Sequence, residues 1–206
     1  MALTPNLTQS LNNLSTHAVM AQILDGIEYV GDAIREIHVE LQNDRLAMSE
    51  GARDKLMQAR LIQDAKLREA AMLDVIHSAT DAKRVLMRNF SQNMYHITEH
   101  SQKSDFQMML DFKGEKDVSR KAIDAFQALV YITNSVQTEC EGYAMLIEYE
   151  PCKECLEEFK SFILENKLNE RDTLLLLNEN SSQKRIEVVD EFTDIAARIT
   201  AFDPTE

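Results

Sequence analysis

"VSRKAIDAFQALVYITNSVQTECEGYAMLIEY", residues 118–149, is the stretch on which the fold turns. Val118, Ala122, Ala125, Leu129, Ile132 and Val136 alternate steps of four and three, and Tyr143 and Leu146 continue the row. Apolar residues at that spacing line one side of an α-helix. Ile123, Phe126 and Val130, then Cys140, Ala144 and Ile147, form a second row beside the first. Two adjacent rows make a wide apolar face, as expected of a helix packed on several sides. The spacing therefore predicts a central helix over 118–149, with Leu129, Ile132, Val136 and Tyr143 in the core.

The same rhythm extends outward. Upstream, Ile62, Ala65, Glu69, Met72, Ile76, Ala79, Lys83, Leu86, Phe90, Asn93 and Ile97 keep a heptad register with polar intrusions. Sustained heptads argue for long helices packed like a coiled coil, in which a polar seam residue fixes register. A helix from about 52 to 100 is expected. Earlier still, Ile23, Ile27, Val30, Ile34, Ile37 and Leu41 repeat the pattern, with Gly26 marking a bend or a close helix crossing. Downstream, Val188, Phe192, Ile195, Ile199 and Phe202 close the chain in the same step.

Composition agrees. Among 206 residues there are 5 Gly, 3 Pro and no Trp. Sheet folds need more turn formers than this. The predicted fold class is all-α: an elongated antiparallel bundle of long, coiled-coil-like helices. Residues 1–206 read as a single helical domain, with candidate sub-boundaries near 49–51, 101–117 and 150–152. Ser49-Glu50-Gly51 is a weak break, Gly114 marks a reversal with Asp117 capping the next helix, and Pro151 ends or kinks the central helix and is also a good first-turn residue for the next.

The formal charge of −13 excludes direct binding to a nucleic-acid backbone, which needs clustered Lys and Arg. It permits an acidic inhibitor that mimics nucleic acid toward a basic enzyme. No apolar run approaches the ~20 residues of a spanning helix. The first residues lack the basic and apolar regions of a signal peptide. Three cysteines without such a signal suggest reduced thiols and a cytoplasmic protein.

Three motifs invite chemical readings. Cys152 and Cys155 form a Cys-x-x-Cys on an apolar stripe with Leu156, Phe159 and Ile163, where free Cys acts as a small hydrophobe. A zinc there needs four ligands, and Cys140 lies 12 residues upstream, out of reach unless the chain turns sharply near Pro151. His96, Glu99 and His100 match the His-x-x-Glu-His of zinc hydrolases, with Glu as general base. No third ligand announces itself. Glu154-x-x-Glu157 and Glu187-x-x-Asp190 resemble the paired acidic motifs of all-α nucleotide pyrophosphohydrolases, but the gap between the pairs is longer than in that family.

The last feature is an apolar tip at 106–112. Phe106, Met109 and Phe112 are candidate partner contacts, or a membrane-contacting tongue in a layout that resembles helical pore-forming toxins. The tongue is shorter than the ~9 residues of a spanning strand. The expected function is therefore non-enzymatic: a helical interaction or assembly protein, without cofactor, that binds a protein partner or forms a homo-oligomer through long helical faces. A metal-dependent hydrolase using His96, Glu99 and His100 is the enzymatic alternative.

Overall fold

The computed structural model describes residues 18, 20–23, 25–26, 44–101, 112–177 and 183–201. These are overwhelmingly helical, with no strand among them. After an N-terminal helical stretch seen at 18, 20–23 and 25–26 come α1 (Asp44–Arg60), α2 (Ala65–Ser101) and α3 (Phe112–Met145). They are followed by α4 (Tyr149–Glu165), the short α5 (Arg171–Leu176) and α6 (Gln183–Ala201).

The helix expected over 52–100 is broken, and not where the glycine suggested. Residues 49–51 lie inside α1, and the break falls at 61–64. Leu61 and Ile62 close α1 with tight backbone bonds to Gln58 and Ala59. Asp64 then caps α2, its Oδ1 accepting the Leu67 N–H at 2.9 Å. Such a cap satisfies a donor that the helix leaves unpaired, typically stabilising it by about 1 kcal/mol. A glycine in a helix interior is tolerated when neighbours hold the helix, whereas a capped aspartate redirects the chain. The heptad seam accordingly starts at Met72 rather than Ile62. Met72, Ile76, Ala79, Lys83, Leu86, Phe90 and Ile97 are buried, while Ala65 and Glu69 are exposed.

The central helix is where the sequence places it. From Ile132 to Cys140, nine consecutive residues of α3 are buried, so this segment is enclosed on every side. Six of the nine are polar: Thr133, Asn134, Ser135, Gln137, Thr138 and Glu139. Thr138 satisfies its hydroxyl on the carbonyl of Asn134 one turn back, at 2.8 Å. Ser135 reaches Ser49 of α1 at 2.9 Å, and Ser49 donates to the Tyr131 carbonyl at 3.0 Å. Small hydroxyl residues thus bring α1 close to α3. Beside α1, α2 passes α3 in the reverse direction, with Ile76 beside Gly142 and Lys83 beside Glu139. A Cβ on Gly142 would lie 2.7 Å from Ile76 Cγ1, so only glycine allows that approach.

The start of α3 differs from expectation. α3 already includes Gly114, and Asp117 lies within the helix, paired with Arg120 at 2.9 Å, rather than capping it. At the other end α3 stops at Met145, before Pro151, which sits in the first turn of α4. Ile147 closes α3 in the left-handed region, at φ 64°. Its N–H bonds to Ala144 and that of Glu148 to Tyr143, the reversal that usually employs glycine. Lys167, at φ 54°, ends α4 in the same way, and buried Leu168 seals that turn.

One cluster of buried side chains extends from Met20 and Ile23 to Phe192 and Ile199, and a second surrounds Leu56, Ala59, Met72 and Val75. Gly26 is a close approach, with Ile195 of α6 only 3.2 Å from where a Cβ would stand.

Candidate functional site

Of the polar intrusions on the α2 seam, Lys83 is fully buried. Its ammonium lies 2.9 Å from Glu139 Oε2 of α3 and 2.7 Å from Glu158 Oε2 of α4, and it donates to Cys155 Sγ at 3.3 Å. An ammonium has three N–H donors, and this one meets three partners. Burial alone lowers the Lys83 pKa, but Cys155, Glu139 and Glu158 outweigh it and hold the pKa above the ordinary 10.5. The side chain is therefore a cation at neutral pH, unsuited to act as a nucleophile or to form a Schiff base, both of which need the free amine. Its work is to join three helices at one point.

Beside it the three cysteines converge. The reversal at Ile147 folds α4 back along α3, so Cys140 Sγ donates to the Cys152 carbonyl at 3.7 Å. All three thiols are free and buried. Contact with the Cys152 and Cys155 side chains, then burial, pushes the Cys140 thiol well above its usual range. Tyr143 is half-buried nearby, and burial with the charge of Glu139 raises its hydroxyl pKa. Phe159 and Phe162 continue the α4 stripe, and Phe90 of α2 meets Phe162 edge-on at 5.3 Å.

The turn near Pro151 that a zinc site would require is present, yet no group of three His, Cys, Asp or Glu among the described residues is placed to hold a metal ion. The Lys83 ammonium at Cys155 also opposes a dication there. His96 and Glu99 are exposed near the end of α2, and the His100 side chain lies outside the described residues. Phe106 and Met109 lie outside them too, and Phe112 opens α3 with its side chain undescribed. No helix among the described residues is long and apolar enough to cross a membrane.

Comparison with protein-family models, curated proteins and solved structures finds no match.

Sequence reasoning counted Lys83 only as a register-setting intrusion and did not single out Glu139 or Glu158. A signal existed: a lysine on an otherwise apolar seam demands a carboxylate, and each of these glutamates is within three residues of a cysteine on a buried face.

The second unusual surface surrounds the 61–64 and 146–148 turns, which lie toward the same end of the helices, since Leu146 packs on the Leu56–Val75 cluster and Arg60 pairs with Glu141. Leu61 is 77% exposed and Ile147 73%, with Met57, Leu67, Leu73 and Met145 also open to solvent.

Proposed function

We propose that this chain is a helical assembly protein that pairs with a second copy of itself through the apolar end formed by the 61–64 and 146–148 turns. The observation that carries the reading is the exposure there of Leu61 and Ile147 together with four further large apolar side chains. Scattered exposed leucines are ordinary, whereas two large apolar side chains on adjoining turns, with four more on the helices that flank them, are the kind of patch that interfaces cover.

Charge favours a second copy as the occupant. In a chain of net charge −13, residues 53–68 carry five basic residues against two acidic ones. The 146–148 turn and the start of α4 after it are acidic, with Glu148 and Glu150. A two-fold axis through this end would set the basic turn of each copy on the acidic turn of the other, the self-complementarity that an isologous interface needs. Joined end to end in this way, two copies would form the elongated antiparallel assembly of long helices that the heptads suggest. Three free thiols suit a reducing compartment such as the cytoplasm.

Sedimentation velocity over a wide concentration range tests the reading. The native chain should reach a dimer and stop there, and Leu61→Glu with Ile147→Glu should stay monomeric with an unchanged helical circular-dichroism spectrum. A native chain that remains monomeric at every concentration, or a double variant that still dimerises, would sink it.

A further inference from the structure

The thiol cluster has a use that assembly does not require. We propose that Cys155 and Cys140 are an oxidation-sensitive pair: a hydroperoxide oxidises the Cys155 sulfur at Lys83, and Cys140 resolves it into a disulfide tying α3 to α4.

Three observations converge on this. Cys155 Sγ accepts a hydrogen bond from the Lys83 ammonium at 3.3 Å. A cation at that position stabilises negative charge on the attacking sulfur and can hydrogen-bond the departing oxygen. Cys140 stands across the helix junction against the Cys152 carbonyl, and Lys83 joins Cys155 to Glu139, the residue beside Cys140, so a second thiol is at hand to resolve the first. Finally, the site is shallow. Glu158, one of the partners of Lys83, has 43% of its side chain exposed, so the cluster borders solvent on that side.

The steps balance. The Cys155 sulfur attacks one peroxide oxygen and the O–O bond breaks. Sulfur is oxidised to a sulfenic acid, the peroxide is reduced, and the thiol proton leaves with the departing alkoxide or hydroxide as alcohol or water. Cys140 then attacks the sulfenic sulfur, the S–O bond breaks, and the hydroxide leaves as water with the Cys140 proton. The product staples the hairpin that contains Ile147 and removes one of the three partners of Lys83.

The test uses the full chain treated with hydrogen peroxide under native conditions. Remaining thiols are then alkylated and the protein digested for mass spectrometry. The expected product is one peptide pair joined through Cys140 and Cys155, reversed by dithiothreitol, with Cys152 alkylated. Exposed Met48 and Met57 report that the oxidant dose was sufficient. In Cys140→Ser the sulfenic acid at Cys155 should persist and be trapped by dimedone, while Cys152→Ser should leave the cross-link intact. The proposal is overturned if all three thiols stay alkylatable once those methionines are oxidised. A bond through Cys152, or a link from Cys155 to Lys83, overturns it equally.

Discussion

Lys83 and Ile147 break the ordinary rule of burial in opposite senses. Lys83 places a charge among apolar side chains, and Ile147 places a branched apolar side chain in water. The difference lies in satisfaction. The lysine has three partners drawn from two other helices, so its charge is enclosed and paired. The isoleucine has a left-handed backbone and an exposed side chain, so the fold gains little from it. A satisfied exception fixes which helices meet and in what register. An unsatisfied one suggests that something outside the chain completes it.

The largest expected effect comes from breaking the closed site. Lys83→Met leaves Glu139 buried without a counterion, and should lower unfolding free energy by about 3–5 kcal/mol in urea titrations. Adding Glu139→Gln should recover most of that loss, because the uncompensated charge, rather than the missing attraction, is what destabilises. A Lys83→Met loss below about 1 kcal/mol would show that water reaches the ammonium. The pH dependence has a definite sign. The folded pKa of Lys83 is raised, so its contribution is complete below the ordinary lysine value of 10.5 and declines only as pH climbs through the raised value. Stability from this group should therefore be flat across neutral pH and fall in strong alkali, as followed by urea midpoints at successive pH values.

How far the sequence could reach is clear from these same positions. The central helix was legible because its apolar row runs through the enclosed segment at Ile132 and Val136, while the burial of the six polar residues between and beside them was not, since their partners lie on other helices. The α1–α2 break was not, because one aspartate side chain on one N–H decides it, and the heptad spacing read from Ile62 onward gives no sign of it. The meeting of Cys140 with Cys152 was hidden for a similar reason. It depends on Ile147 adopting a conformation that its branched side chain disfavours, so local preference pointed elsewhere. Lys83 was visible as an oddity, but its partners come from helices whose relative rotation no periodicity gives.

A middle-sized contrast sets two helical glycines against each other. Gly142→Ala forces a Cβ to 2.7 Å from Ile76, and should destabilise by about 1–3 kcal/mol through overpacking at the α2–α3 crossing. Gly51→Ala meets nothing within 4 Å, and should stabilise by about 1 kcal/mol through helix propensity alone. Thermal unfolding of the two variants gives shifts of opposite sign if the crossing is as close as the structure has it. Two shifts of the same sign would mean that α2 and α3 yield at Gly142.

The smallest effect is the most discriminating, because one substitution must move two quantities in opposite directions. An L-residue in the left-handed region is disfavoured by roughly 1–2 kcal/mol relative to glycine. Ile147→Gly should therefore raise unfolding free energy by about 1 kcal/mol, less a little for glycine's freedom in the unfolded chain. If Ile147 serves only to end α3, nothing else changes. If the apolar end pairs with a second copy, the same variant loses a branched side chain worth about 1.5–3 kcal/mol on burial, and its dimer should dissociate at least about tenfold more readily. A variant that is at once more stable as a monomer and weaker as a dimer separates contact from folding, since a merely damaged turn would lower both. Stability raised with the dimer constant unchanged would leave Ile147 a strained turn residue and remove it from the interface.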